Sequence, residues 1–316
     1  MADTRVLCLG EALIDVVIRD DSSVEHVGGS LLNVAAGVAS LSHPASICAW
    51  WGKDERGDRL AGWATDSGVE IVPGTDSADK TAVAYAHLDE AGRATYEFDL
   101  TWAVPEIADL DRYGHLHTGS IAATLEPGGS QVVETVRRLR EHGTISYDPN
   151  IRPALMESPE AVVGRVEELV GLSHLVKASD EDLAWLYPHT PVEDVMRAWS
   201  QAGPSMVVVT RGPWGAYALL SHNRDMLHVD QLTVEVGDTV GAGDSFMAGL
   251  ISGLIDAGFL GSAEAAERLG CAGWSQVQPS LHRAITTSAL TVSRHGAYAP
   301  TRDEAEQMSA KDSSLL

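Results

Sequence analysis

Short apolar runs and segments with helical spacing alternate along almost the whole chain. RVLCLG (residues 5–10) has the form of a strand and leads into LIDVVI. In GGSLLNVAAGVASL (28–41) two glycines precede Ala35, Ala36, Val38, Ala39 and Leu41, the spacing of a packed helix. ASICAWWG and GVEIVPG read as short strands around a helix over GDRLAGWATDSG. After Pro105, YGHLHTGS, TISYDPN, HLVKAS and MVVVTRG predict strands, and SQVVETVRRLREHG, AVVGRVEELVGLS, DEDLAWLYP and VEDVMRAWSQAG predict the helices that separate them. This alternation predicts an α/β fold, a central and mostly parallel sheet with helices on both faces. In such a sheet the strand C-termini line one edge, so Ser120, Asp148, Ser179, Thr210, Gly212 and Asp238 are expected to converge there.

One region breaks the rhythm. TAVAYAHLDEAGRATYEFDL (81–100) reads as a hairpin with its turn near Glu90 to Gly92 and no helix after it. With LIDVVI and EHVGG it forms either a small β-sheet lid standing off the main body or an antiparallel edge of the main sheet. The first arrangement is expected. It divides the chain into a main body over 1–10, 34–79 and 103–305, a discontinuous lid over 11–33 and 80–102, and a frayed tail over 306–316.

The densest motif is VGDTVGAGDSF (236–246). Upstream, Leu232, Val234 and Val236 alternate with Thr233 and Glu235, the period of a strand. Downstream, Phe246, Met247, Leu250, Ile251, Leu254 and Ile255 have the period of a buried helix. A glycine turn into a helix aims unpaired N–H groups and the positive end of the helix dipole at one spot, which suits an anion. Asp244 stands beside that spot. By itself it fits a helix cap as well as a chemical role. Gly241 and Gly243 permit close backbone approach, and Asp238 adds a carboxylate suited to a cation. An acid at an anion site is explained if it takes a proton from a hydroxyl attacking phosphorus, so the set describes phosphoryl transfer. There is no G-x-x-x-x-G-K-[ST], and Gly10 is followed by Glu11, Ala12 and Leu13, so P-loop and dinucleotide-binding classes are excluded.

Composition narrows the partners. The chain has 316 residues, 44% of them apolar, and a formal net charge of −23, which argues against nucleic acid or an anionic membrane as partner. No apolar run approaches the roughly 18 residues of a membrane span, and no secretory signal pattern opens the sequence. Cys8, Cys48 and Cys271 are isolated among apolar residues, and buried thiols in a reducing cytoplasm are expected.

DTVGAGDSFMAGL (238–250) closely resembles the C-terminal signature of the ribokinase-type (PfkB) sugar kinases, and GGSLLNVAAGVASL resembles their N-terminal signature. GKDERGDRLAGWATDSGV, YDPNIRP, VKASDEDL, VVVTRGPWGAYAL and ALTVSRHGAYAPT match lesser marks of that family, so the resemblance covers residues 5–305. It implies that Asp244 is the general base, with the backbone N–H groups of Gly241, Ala242, Gly243 and Asp244 forming the anion hole. It implies that Asp15, Gly28, Gly29 and Asn33 hold sugar hydroxyls. From the residues alone, Asp15 reads as a strand-end residue, Gly29 as a turn and Asn33 as a helix cap. Arg152 matches a cleft-lining position, and its plainer reading is a surface arginine. Tyr96 and Phe98 lie on the lid, facing an acceptor or forming lid core. The resemblance further implies ATP contacts at Lys177 and Ser179, at Thr210, Arg211, Gly212 and Gly215 of TRGPWG, at Gly241 and Gly243, and at His295.

ATP and Mg²⁺ are the implied cofactors, with K⁺ as a further ion at Asp238. Where many members carry N-x-x-E to organise Mg²⁺ through water, this chain has Ser179 and Asp182, which keep oxygen ligands but leave the geometry open. The lid also implies a homodimer. No basic residue occurs between Arg93 and Arg112, whereas Glu97, Asp99, Glu106, Asp109 and Asp111 are acidic, which favours a neutral sugar. GEALID and DPNIRP look most like fructokinases. A 2-keto-3-deoxygluconate or nucleoside kinase is the alternative, and a sugar-binding regulator that has lost catalysis is the non-enzyme alternative.

Overall fold

The computed structural model describes residues 4–19, 22–88 and 94–311. Thirteen strands are present among them: β1 (Val6–Leu9), β2 (Leu13–Arg19), β3 (Ser22–Gly28), β4 (Ala45–Cys48), β5 (Glu70–Ile71), β6 (Val83–Leu88), β7 (Ala94–Asp99), β8 (His115–Gly119), β9 (Thr144–Asp148), β10 (Leu175–Ser179), β11 (Met206–Thr210), β12 (Ala216–Leu220) and β13 (Leu227–Val229). The helices are α1 (Ser30–Ser40), α2 (Glu55–Asp66), α3 (Gly128–Arg140), α4 (Pro159–Leu172), α5 (Asp180–Leu186), α6 (Val192–Ala202), α7 (Ala242–Asp256), α8 (Ala263–Gly270), α9 (Trp274–Val292) and α10 (Arg302–Ser309).

Nine strands form one sheet in the order β13-β12-β11-β10-β9-β8-β1-β4-β5. Pairing is parallel from β5 to β11 and antiparallel at β11–β12 and β12–β13. Strands β1, β4, β8 and β9 are buried along their whole length, as expected of a sheet covered on both faces. Helices α1, α7 and α9 contribute to the apolar core that includes Val6, Cys8, Leu175 and Met206. The opposite core includes residues of α3, α4 and α6 with Leu7, Leu9, Val176 and Val207. Alternate residues of β1, β10 and β11 thus feed opposite cores, so one strand anchors both layers.

The hairpin does not extend the main sheet. Strands β6 and β7 pair antiparallel, and β6 joins β2 in a second sheet of order β3-β2-β6-β7. The expected turn at Glu90 to Gly92 lies outside the described residues. Leu13, Ala82, Ala84 and Ile121 form a small apolar cluster that ties this lid to the main body.

Three expectations are corrected. Residues 232–236 form no strand: β13 ends at Val229, and the chain then runs to α7 without a ladder partner. Their apolar alternation reflects one-sided seating on the body, with Leu232 buried, while Val236 is 67% exposed. Cys8 and Cys48 are buried, but Cys271, at the C-terminal cap of α8, is exposed. Residues 306–309 of the expected frayed tail belong to α10, whose Met308 packs against the core and whose Ser309 hydroxyl meets that of Thr286 at 3.3 Å. Residues 312–316 lie outside the described residues.

The chain crosses from main sheet to lid at Gly10, Glu11 and Ala12. Glu11 is only 8% exposed and accepts the Ala122 N–H at 3.3 Å, with the Ser120 hydroxyl as a further donor. Ser120 has φ 54, a left-handed conformation that a residue with a β-carbon adopts at a cost, and Glu11 helps to hold it. Burial raises the Glu11 carboxyl to about 7. The folded state therefore favours its protonated form. That contribution to stability is complete below the unfolded pKa near 4.5 and is lost as pH rises through about 7. The variant Glu11→Gln, neutral throughout, is expected to gain in melting temperature relative to the parent between pH 5 and pH 8. Paired thermal melts across that interval test this, and a constant offset would contradict it.

Candidate active site

Two helix N-termini meet at Asp244. Helix α7 begins after Gly241, whose φ of 75 is the left-handed conformation glycine tolerates; a Cβ there would lie 2.7 Å from the Ala297 Cβ. Asp244 is the third residue of α7 and makes no cap to its own helix. Its carboxylate reaches α1, accepting the Ser30 hydroxyl on Oδ1 at 2.7 Å and the Asn33 amide Nδ2 on Oδ2 at 2.8 Å. This sets aside the capping readings of both Asp244 and Asn33. Ser30 and Asn33 are three residues apart on α1 and so share a face. Because an ionised carboxylate only accepts, Asn33 must present Nδ2 to it, which leaves the buried Asn33 Oδ1 without a donor.

The expected anion hole falls on the first turn of α7. The N–H groups of Gly243 and Asp244 have no acceptor within the helix, as its geometry requires. A Cβ on Gly243 would lie 3.0 Å from Lys177 Nζ, so the lysine sits directly against this turn. Lys177 is 4% exposed and donates to Asp148 Oδ2 at 2.8 Å, a buried ion pair between the middle of β10 and the end of β9. Burial raises the Asp148 carboxyl to about 6, opposed by the Lys177 charge. The lysine loses solvation by burial, yet Asp148 and the charges of Asp182 and Asp244 outweigh that loss and hold it cationic. Lys177 thus underlies the turn from within the protein.

Asp182 has a structural role as well. Its Oδ1 accepts the Ile151 N–H at 2.7 Å, its Oδ2 accepts the Ser179 N–H at 2.8 Å, and Ser179 Oγ accepts the Asp182 N–H at 3.0 Å in a capping box on α5. Each carboxylate oxygen keeps a further acceptor position. Arg152 is exposed and folds onto its own loop, donating to Asn150 Oδ1 at 2.7 Å.

On the lid side, Asp15 lies within β2, opposite His26. It is not a strand-end residue. Burial raises its carboxyl, and the charges of His26 and Arg152 oppose this. A Cβ on Gly28 would lie 2.0 Å from Asp15 Oδ2, and one on Gly29, whose φ is 115, would lie 2.6 Å from the Glu11 carbonyl oxygen. Both glycines are therefore required by close approach. Phe98 packs against the small cluster around Leu13 and Ala84 and so belongs to the lid core. Tyr96 lies on β7 opposite Ala86, and its side chain is outside what the structure describes.

The remaining positions lie at the end of β11 and on the loop after it, and on the loops before α7 and after α9. Thr210 ends β11 beside Ser179. Arg211 stacks on Tyr217, 5.2 Å from the ring centre, and approaches Asp180 at 3.8 Å. Gly212 opens a short turn that leaves Trp214 70% exposed, and a Cβ on Gly215 would lie 2.0 Å from the Val229 carbonyl oxygen. Asp238 Oδ1 accepts the Val240 N–H at 3.1 Å and Oδ2 the Gly296 N–H at 3.0 Å, bonds that hold its carboxyl below the usual range. His295 is exposed next to Gly296. Sequence reasoning missed Ser30 and the pairing of Asp148 with Lys177. Ser30 stands inside the GGS motif, but nothing in a sequence indicates that a serine bonds a residue 214 positions away.

Comparison with known proteins identifies the family and the fold. The model of the pfkB family carbohydrate kinases matches residues 3–304. A fructokinase from Rhizobium leguminosarum bv. trifolii is 31% identical over 261 residues, 79% of each chain. The fructokinase from Xylella fastidiosa with bound ATP superposes with a TM-score of 0.84 at 25% identity, covering 98% of this chain and 99% of that one. A fructokinase double mutant from Vibrio cholerae O395, bound to fructose, ADP and potassium, gives 0.78 at 25% identity, covering 96% and 98%. The ribokinase-like fold, the two signature motifs meeting at Asp244 and these matches lead to one conclusion: the chain belongs to the pfkB family of carbohydrate kinases, phosphotransferases with an alcohol group as acceptor.

Proposed function

We propose that this protein is an ATP- and Mg²⁺-dependent fructokinase in which Asp244 is the general base. The observation that carries the reading is the pair of bonds from Ser30 and Asn33, which hold the Asp244 carboxylate at the mouth of the N–H groups of α7. The acceptor hydroxyl lies between Asp244 and the phosphorus. Asp244 takes the hydroxyl proton as the oxygen bonds to the γ-phosphorus, and ADP leaves with the electrons of the broken P–O bond. The N–H groups of Gly243 and Asp244 stabilise charge on the transferring group, with the Lys177 ammonium behind them.

The donor set fits the sugar: Asn33 Oδ1 is a buried acceptor awaiting a hydroxyl, and Asp15 offers a second carboxylate from the lid. It also fits Mg²⁺, which binds mainly through phosphate oxygens and waters and needs few protein ligands. Among the described residues no group of three His, Cys, Asp or Glu could hold a metal, whereas Asp182 retains acceptor positions for metal-bound water. When bound, Mg²⁺ offsets phosphate charge. Asp238, where two loops join beside α7, is the site for a monovalent cation. Fructose as acceptor is supported by the fructokinase relatives and by the acidic stretch after the lid strands. The lid covers the sugar and excludes water, and it is the proposed homodimer interface, where Val24 on β3 is exposed. Among the described residues no helix is long and apolar enough to cross a membrane, and action in the cytoplasm is part of this proposal.

ADP release with Mg-ATP is expected with fructose and not with ribose, glucose, tagatose, 2-keto-3-deoxygluconate or adenosine. Turnover of the keto-deoxy acid instead would assign Arg152 to its carboxylate. Asp244→Asn is expected to leave fructose affinity within a few-fold by calorimetry and to lower kcat by about three orders of magnitude or more; unchanged turnover would remove it as the base. Light scattering is expected to give a dimer for the parent and a monomer for Val24→Glu, whereas a parent monomer would contradict lid pairing.

A further inference from the structure

We propose that Ser30 is a positioning residue for phosphoryl transfer, fixing the rotation of the Asp244 carboxylate so that one defined oxygen receives the acceptor proton. The inference rests on Asp244 being the base. Ser30 is the first residue of α1 and does not cap that helix; the N-cap is Gly29, which has no side chain. Its hydroxyl, 8% exposed as a residue, instead spends its single donor on Asp244 Oδ1 at 2.7 Å, with Asp244 itself 9% exposed. A short bond to an ionised acceptor in a dry setting holds its partner firmly.

Asn33 holds the other oxygen, but Asn33 has a second task. Its Oδ1 is buried and unpartnered, so the asparagine must also answer to an arriving hydroxyl. Ser30 has no such competing obligation. It is the donor that remains when Asn33 adjusts to substrate, and with Oδ1 held, rotation about the Cβ–Cγ bond is arrested. Both donors sit on one face of a helix whose start is set by Gly29, at φ 115. The carboxylate is therefore indexed to α1, the helix that follows directly from lid strand β3, and so to the element that carries the sugar contacts.

The test is steady-state kinetics of Ser30→Ala and Ser30→Thr with Mg-ATP and the panel sugar turned over fastest by the parent, with thermal melting of each variant. Ser30→Ala is expected to lower kcat about tenfold, with the KM values for sugar and ATP changed less than twofold and little change in melting temperature. Ser30→Thr, which keeps the donor, is expected to recover most of the lost kcat. Parental kcat in Ser30→Ala, a loss confined to sugar KM, or equal losses in both variants would each overturn the proposal. Full turnover in Asp244→Asn would overturn the functional reading itself. An inactive Asp244→Asn beside a fully active Ser30→Ala would overturn only the role of Ser30.

Discussion

Everything around the α7 N-terminus depends on the buried ion pair between Lys177 and Asp148. Asp148, Asp182 and Asp244 share one corner with a single ammonium, and Asp148 and Lys177 are each in the field of the other two acids. Removing either partner would leave an unpaired charge in a dry setting, which is far costlier than losing a surface pair. The pair lets the end of β9 and the middle of β10 carry charge at all. It also sets the position of Gly243, because the lysine occupies the space where a side chain would stand.

That corner is net negative before any substrate arrives, which bears on how a polyphosphate can bind a protein of formal charge −23. Attraction must come from local donors rather than from the overall field: helix N–H groups, the buried ammonium and a bound divalent cation. Asp182 adds to the acidity yet is held in place by two backbone N–H groups, so its charge is structurally compensated. The site is thus a set of carboxylates whose oxygens are largely assigned in advance. The orphaned Asn33 Oδ1 is an exception.

The lid is joined to this centre through short covalent paths. Glu11 and Ala12 connect β1 to β2, and Gly29 connects β3 to α1, so the chain enters and leaves the lid beside the site. Gly28 and Gly29 are shaped by contact with Asp15 and with the Glu11 carbonyl. Ile121, packed under the lid, is held by the turn that Glu11 stabilises.

The sequence by itself determined the alternation of strands and helices and the two signature motifs, and it singled out Asp244 as a candidate, because these are local patterns of period and of glycine placement. It also separated the lid strands from the rest, since no helix follows them. It misread residues 232–236, where alternation arose from one-sided seating without a pairing partner, and the end of α10, where packing by Met308 outweighs a polar composition. Only the tertiary structure decided that Ser30 bonds Asp244, that Lys177 is buried against Gly243, and that Asp182 accepts the Ile151 N–H. Those relations join residues tens to hundreds of positions apart, and a hydrogen bond between them exists only once the sheet and the helix N-termini have brought them within reach.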